Sequence, residues 1–271
     1  DADSVTSSAA TSINGPGSGG GQGVAAAETA RGHFGLQLHF AETLAARKPM
    51  ALAEAITYHT NLHRRFAYGN LSKQNADPEF LALVNRLVAL PDHAARLDLT
   101  VAAFARRDEE GLPPHLFDFG CFRCEAPDER GHVRIHFGNR DSDDGRGPLD
   151  RSKTARRRDE LTRMIRFLAE TYPDAKAVDG GSWLYNTEAY RRLFPAEFVN
   201  SRTPLEGPRP THGSSSWGQF VDFRGRVKPE IADKFMQNLK VLDAQQPWLA
   251  FPLPVLMTTA PFGAFRREYG V

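Results

Sequence analysis

The segment from Gly138 to Arg158 combines glycines and basic residues in an order that suits an anionic ligand. It follows the strand-like run HVRIHF directly and reads GNRDSDDGRGPLDRSKTARRR. A glycine-containing loop that leads into a helix exposes backbone N–H groups, and such groups bind phosphate. We therefore predict that a phosphate-bearing donor molecule binds at this loop and at the start of the helix after it.

The start of that helix has an unusual charge for its position. Arg156, Arg157 and Arg158 lie in its first turns, where the helix macrodipole favours anions and opposes cations. An anionic ligand at the loop would relieve this conflict. Alternatively, nearby aspartates supply the counter-charge. These aspartates are Asp141, Asp143, Asp144 and Asp150.

The order of strand, glycine loop, long helix, strand and helix resembles the cofactor-binding half of the GNAT N-acyltransferase superfamily. Arg140 precedes the Gly145–Gly147 triplet, and Asn186 and Ala189 match the Asn-x-x-Ala that often opens the family's next helix. The combination of GPL, the long helix and SWL is also similar to a divergent GNAT-like group with an extra N-terminal helical part. The resemblance covers about a third of the chain, roughly residues 115–200.

The resemblance implies an acyltransferase that uses acyl-coenzyme A as a co-substrate, with no tightly bound cofactor. The phosphopantetheine arm of an acyl carrier protein is the alternative donor, because it carries fewer phosphates and suits the acidic loop better. The acceptor is an amine or a hydroxyl of a small-molecule substrate. The donor-binding residues in this interpretation are Arg140, Gly145, Arg146, Gly147, Arg156, Arg157 and Asn186.

Acyl transfer also needs a base for the acceptor's proton and hydrogen-bond donors for the charge that develops on the reacting groups. His136 lies on the strand just before the glycine loop and is the candidate general base. Ser182 and Tyr185, on the following strand, are candidates for protonating the leaving thiolate. His136 shares a strand face with His132 and Arg134, because alternate residues of a strand point the same way. The alternative is a polar strand face that only meets solvent.

Two other histidines, His59 and His63, lie four residues apart on the apolar face of a predicted helix. At that spacing they can share a metal ion, so a metal-dependent enzyme is an alternative function, as is a protein that binds a ligand without turnover. They can equally be neutral, hydrogen-bonded histidines of the core or of a pocket wall. No carboxylate falls at a matching ligand spacing, and we assign no metal-binding residue.

A second set of potential zinc ligands has the spacing C-x2-C-x7-H-x3-H and consists of Cys121, Cys124, His132 and His136. In a strand the two histidines are separated by about 13 Å of backbone rise, which is too far for one ion. We therefore expect two semi-buried thiols. The loop THGSSSWG, with His212 and three serines, can bind an anion but shows no signal of a catalytic Ser-His pair.

The pattern of residues divides the chain into three parts. Residues 1–28 are rich in Gly, Ser and Ala and are predicted to form a flexible tail. Residues 29–110 show helical periodicity, with helix starts at Asp77 and Asp92. Residues 111–271 predict a mixed α/β, GNAT-like domain. The predicted fold class is therefore α+β, or α/β, with an N-terminal helical part followed by a mixed sheet flanked by helices.

Within the last part, alternation and turn residues predict the individual elements. HLFDFGCFRC and HVRIHF form an antiparallel hairpin, and a helix runs from about residue 151 to 172. AKAVDGGSWLYN predicts a short strand that leads to a helix at residues 187–194, and WGQFVDFRG predicts another strand that ends in a turn. The C-terminal stretch PWLAFPLPVLMTTAPFGAF contains repeated prolines, so we expect an edge strand or extended loop there.

Composition limits the classes of partner. The chain has 271 residues, a formal net charge of +1 and two cysteines. A net charge near zero does not favour nucleic acid or an anionic membrane surface as a partner, and two cysteines are too few for a disulfide scaffold. No apolar run reaches the roughly 18–20 residues that span a bilayer. We expect a soluble cytoplasmic protein with a small-molecule substrate, and an acyl carrier protein is a further candidate partner.

Overall fold

The computed structural model describes residues 20–69, 71, 76–106, 116–142, 144–205 and 211–271. The chain forms an N-terminal helical part followed by a six-stranded mixed sheet with flanking helices, which confirms the predicted α+β fold class. The first helix begins at Gly20, so it overlaps the end of the predicted tail. The rest of that tail, and the predicted boundary near residue 110, lie outside the described residues.

The helical part is held together by an apolar core between its helices. Its helices are α1 (Gly20–Arg47), α2 (Leu52–His59), α3 (Leu62–Arg65), α4 (Pro78–Val88) and α5 (His93–Phe104). Asp77 and Asp92 accept hydrogen bonds from the first backbone N–H groups of α4 and α5, so both predicted helix starts are confirmed. The helical backbone is interrupted between α2 and α3, because Thr60 has an extended conformation and its hydroxyl donates to the carbonyl of Ile56.

The sheet has the strand order β1-β2-β3-β4-β6-β5. Its strands are β1 (Phe117–Asp118), β2 (Phe122–Cys124), β3 (His132–Phe137), β4 (Ala177–Ser182), β5 (Thr203–Pro204) and β6 (Leu256–Pro261). β2 and β3 pair as the predicted antiparallel hairpin. The first predicted strand of that hairpin is divided into β1 and β2 at Gly120, which has a φ of +95° that few other residues adopt.

β3 and β4 are parallel neighbours, and the connection between them runs through α6 (Thr154–Thr171). Their ladder covers three positions and ends where Arg134 pairs with Asp179. Beyond that point β3 continues along β2 to Phe137, while β4 continues along β6 to Ser182. Residues 135–137 and 180–182, all of them described, therefore form no ladder with each other, and we call the region between these two strand ends the β3–β4 gap.

Two predicted strands differ from the structure. WGQFVDFRG forms a short helix and a 3-10 turn, because Trp217 and Phe220, three residues apart, enter one aromatic cluster with Phe235. β6 lies between β4 and β5 rather than at an edge, since most prolines of the C-terminal stretch precede it.

The remaining helices complete the layers around the sheet. They are α7 (Glu188–Arg191), α8 (Ala196–Asn200), α9 (Ser214–Trp217), α10 (Pro229–Lys240) and α11 (Phe262–Tyr269). α6 and α11 contact each other, and both contribute side chains to the main apolar core of the sheet. Among the described residues, no helix combines the length and the apolar character that crossing a bilayer requires.

Candidate functional site

One face of the sheet carries polar side chains at alternate positions, while the other face is apolar. Val133, Ile135 and Phe137 of β3 belong to the core. The residues between them and their neighbours on adjacent strands form what we call the polar sheet face. Its members are Arg123, Glu125, His132, Arg134, His136 and Asp179.

His136, the predicted general base, lies in β3 beside the β3–β4 gap and is buried. Its Nε2 atom lies 2.7 Å from Oε1 of Glu125, which is about one-third exposed. A carboxylate at this distance can accept a hydrogen bond from Nε2 and so orient the imidazole ring. We did not predict Glu125 from the sequence. The hairpin register, in which Arg123 lies opposite His136, contains the signal that could have found it.

Positive charge accumulates where β2 and β3 approach the loop. Burial lowers the pKa of the Arg123 guanidinium, and the positive charges of Arg140 and Arg64 lower it further. Asp118 provides the opposing charge: it lies 3.6 Å from Arg123 and also pairs with Arg140. One carboxylate between two guanidinium groups leaves a local excess of positive charge, which favours a bound anion.

The predicted phosphate-binding loop is ordered by contacts within the protein. Gly145 has a φ of +76°, and its carbonyl accepts a hydrogen bond of 3.0 Å from Arg224. The exposed Arg146 donates its backbone N–H to Asp144. Gly147 lies against the ring of Phe223, and a Cβ atom added there would come within 3.2 Å of that ring. A substitution at Gly147 therefore disturbs packing as well as any ligand.

Asp141 and Asp144 of the loop supply counter-charge to the basic helix start, whereas Asp150 accepts hydrogen bonds from Ser152. Asp141 is buried and contacts Lys153 at 3.1 Å, Arg156 at 3.1 Å and Arg157 at 2.8 Å. Asp144 lies 2.8 Å from Lys153. These contacts support the second interpretation of the charges. Asp143 lies outside the described residues.

The three arginines of α6 differ in exposure. Arg157 has a side chain that is 1 % exposed and also pairs with Glu160 at 2.7 Å, so it belongs to a buried ion-pair network. Burial raises the pKa of Glu160, while the charge of Arg157 lowers it. Arg158 pairs with Glu268. Arg156 has a side chain that is 66 % exposed, and of the three it presents the most surface to a ligand.

β4 ends at Ser182, so Tyr185 lies in a 3-10 helix (Trp183–Asn186) and not on the strand as predicted. Ser182, buried at the end of β4, accepts a hydrogen bond of 3.1 Å from the backbone N–H of Leu184. Tyr185 lies in the core beside Tyr190, and burial raises its pKa well above the usual value. Asn186 donates its side-chain amide to the carbonyls of Trp183 and Pro254. It therefore holds the chain at the end of β4.

The predicted histidine pair is not a shared metal site in this structure. Nδ1 of His63 faces the carbonyl of Gly69 at 3.1 Å, and its Nε2 accepts from the backbone N–H of Asp77 at 3.1 Å. Both ring nitrogens are thus engaged by backbone groups. His59 instead contacts the hydroxyl of Thr211 at 2.7 Å, and burial lowers its pKa to about 4.

The two cysteines are free and buried, in agreement with the expected thiols. Burial raises the pKa of Cys121 to about 11 and that of Cys124 to about 12. A thiol with a pKa this high is not a nucleophile at neutral pH. The predicted loop THGSSSWG is helical at its serines, which lie in α9. Burial lowers the pKa of His212, and the side chain of Asn61 contacts Ser214 at 3.4 Å.

The chain was compared with protein-family models, with curated proteins and with solved structures. No family model, curated protein or solved structure matches it. Its function is therefore inferred from the geometry of the described residues alone.

Proposed function

We propose that the protein is an acyltransferase that moves an acyl group from a phosphopantetheine thioester to an amine or hydroxyl acceptor. The donor is acyl-coenzyme A or an acyl carrier protein. The observation that carries the proposal is the β3–β4 gap, together with His136 on the bordering strand β3 and its partner Glu125 at the end of β2.

The β3–β4 gap suits the pantetheine part of such a donor. Residues 135–137 and 180–182 border the gap. On the side away from the gap, β3 pairs with β2 and β4 pairs with β6. Backbone N–H and C=O groups at a strand edge pair readily with an extended ligand. A pantetheine arm is extended and contains two amide groups, so its shape and polarity match a site along these strand ends.

Exposed basic side chains near the start of α6 suit the phosphates. Between residues 140 and 158 the sequence has seven basic and four acidic residues. Asp141 and Asp144, which would repel a phosphate, are paired with Lys153 and with arginines. The exposed cations at this end of α6 are Arg146, Arg151 and Arg156.

The chemistry follows from the orientation of His136. The imidazole takes a proton from the acceptor as the acceptor's nitrogen or oxygen bonds to the thioester carbonyl carbon. The carbon–sulfur bond then breaks, and the leaving thiolate takes up a proton. Ser182 is not assigned to protonate the sulfur, because alternation along β4 places its side chain on the core face with Val178 and Gly180, opposite to the face of His136. The protonated His136 instead returns the proton to the sulfur. Tyr185 is not assigned this role because its hydroxyl faces Gly180 and Tyr190 in the core.

The proposal can be tested by calorimetric titration with acetyl-coenzyme A. Arg156→Ala removes an exposed cation at the loop and should weaken donor binding roughly tenfold or more, since a charge-assisted hydrogen bond is lost. Arg163→Ala is the matched control, because Arg163 is an exposed arginine of the same helix that pairs with Asp159. Equal affinity in both variants would remove the loop from the donor site.

A further inference from the structure

Three side chains with metal-binding chemistry meet where α1 and α5 contact each other. His39 and Glu42 lie one turn apart on α1, and His93 is the first residue of α5. One ligand atom from each residue lies within 4.8 Å of the other two. Among the residues that the structure describes, no other set of three His, Cys, Asp or Glu side chains is grouped this closely.

The geometry within this group brings nitrogen and oxygen atoms to one point. Nδ1 of His93 lies 2.9 Å from Oε2 of Glu42. The rings of His39 and His93 have centroids 6.0 Å apart and are nearly perpendicular. Ligand atoms about 2.0–2.2 Å from a tetrahedral zinc ion lie roughly 3.3 Å from one another. Small side-chain rotations would therefore close the group around an ion.

The carboxylate of Glu42 is held in place by a second group. Arg96, one turn after His93, donates to Oε1 of Glu42 at 2.9 Å and to the carbonyl of Leu90 at 2.8 Å. The Arg96 side chain is largely buried. The guanidinium thus occupies one carboxylate oxygen and leaves Oε2 directed toward the imidazole of His93. Such outer contacts commonly orient metal-ligating carboxylates.

We propose that His39, Glu42 and His93 bind one divalent transition-metal ion, with Zn²⁺ as the best match. Two imidazoles and a carboxylate suit zinc and its neighbours in the first transition row, whereas Mg²⁺ and Ca²⁺ prefer oxygen ligands alone. Three protein ligands leave a coordination position for water, and the partly exposed side chain of His93 gives solvent access to it. The site lies in the helical part and is independent of the proposed acyl transfer.

The spacing along the sequence does not indicate this site. Glu42 follows His39 by one helical turn, but His93 comes 51 residues after Glu42 in the chain. Only the contact between α1 and α5 brings the third ligand to the other two.

The proposal is tested by zinc titration of the full chain after chelator treatment and dialysis. Calorimetry should give one Zn²⁺ per chain with a Kd in the micromolar range or below, and Co²⁺ should give visible absorption bands typical of low coordination number. His39→Ala and His93→Ala should each weaken zinc binding at least tenfold. Loss of a group that only orients a metal ligand already lowers affinity by about 10–100-fold, and loss of the ligand itself should cost at least as much.

Two further variants control for folding and specificity. Glu42→Gln keeps the size of the side chain and one oxygen that can accept from Arg96, but it removes the charge and one ligand oxygen, so it should weaken zinc binding. A melting curve of the same variant separates this loss from a loss of folding. His59→Ala removes a histidine outside the group and should bind zinc as the wild type does. If the wild type binds no zinc below about 1 mM, or if the three ligand variants bind it unchanged, the proposal is wrong and the group only joins α5 to α1.

Discussion

Nε2 of His136 lies 2.7 Å from Oε1 of Glu125, across the hairpin of β2 and β3. A second histidine–carboxylate pair lies on the same polar sheet face, where Nδ1 of His132 is 3.0 Å from Oδ2 of Asp179. The two pairs differ in position. His132 lies where β3 and β4 are still paired, whereas His136 lies beside the β3–β4 gap. Chemistry at the gap should therefore depend on one pair and not on the other.

His136→Ala should lower turnover by roughly 100-fold or more, because a positioned general base contributes about 10²–10⁴-fold. Glu125→Gln should have a smaller effect, since it removes the charge that orients the imidazole but keeps the base. Release of free thiol from acetyl-coenzyme A, followed with a panel of amine acceptors, measures both variants.

His132→Ala is the control for these variants and should retain activity within about threefold of the wild type, because this histidine does not border the gap. A similar loss in His132→Ala and His136→Ala would show that the polar sheet face acts through structure alone. An unchanged rate in His136→Ala would exclude this residue as the base.

Arg157→Ala should strongly destabilise the fold. The substitution leaves Asp141 and Glu160 buried without the guanidinium that now lies 2.8 Å and 2.7 Å from them. Removing one partner of a buried ion pair typically costs about 3–5 kcal/mol in free energy of unfolding. Urea denaturation measures this loss, and Arg163→Ala on the exposed side of the same helix should change it by less than about 0.5 kcal/mol. A comparable small loss for both variants would mean that the network contributes little.

Stability should fall in mild acid because of His33. Burial lowers the pKa of this histidine from 6.5 to about 3 in the folded protein. A histidine with a depressed folded pKa contributes stability that is complete above pH 6.5 and is lost as pH falls toward 3, since only the unfolded chain takes up the proton readily. At pH 5 the loss amounts to about 2 kcal/mol.

The prediction about His33 is checked by urea denaturation at pH 7.5 and pH 5.0. The His33→Gln variant cannot take up this proton in its unfolded state, so its free energy of unfolding should fall less between the two values. An equal decrease in the variant and in the wild type would assign the acid sensitivity to other groups.

Gly180→Ala should destabilise the sheet by about 1–3 kcal/mol, as overpacking of a core usually does. A Cβ atom at Gly180 would overlap the hydroxyl of Tyr185 and would lie 2.8 Å from its Cζ atom. The same substitution should cost less in a Tyr185→Phe background, where the hydroxyl is missing. Additive effects in this double-mutant cycle would contradict the close approach of these two residues.

The sequence correctly predicted the elements that are determined by residues close together in the chain. The capping aspartates Asp77 and Asp92 identified the starts of α4 and α5, and the turn between two alternating runs identified the hairpin. The strand predicted for WGQFVDFRG was wrong. A helical turn brings Trp217 and Phe220 together in an aromatic cluster that forms only in the folded chain.

The candidate site shows the same limit. His136 was identified by its place before the glycine loop, but its partner Glu125 required the hairpin register, 11 residues away in sequence. The exposed Arg156 and the buried Arg157 are adjacent and chemically identical, so only the packing of α6 against the sheet distinguishes an exposed arginine from a buried one.

The most direct test of the proposed donor site is a titration of ¹⁵N-labelled protein with acetyl-coenzyme A, followed by the backbone amide signals. If the pantetheine arm occupies the β3–β4 gap, the amides of residues 135–137 and 180–182 should shift together and saturate with the donor, and 4′-phosphopantetheine should shift the same set. If neither compound shifts these amides at about millimolar concentration, the gap does not bind the donor and the acyltransferase proposal is wrong.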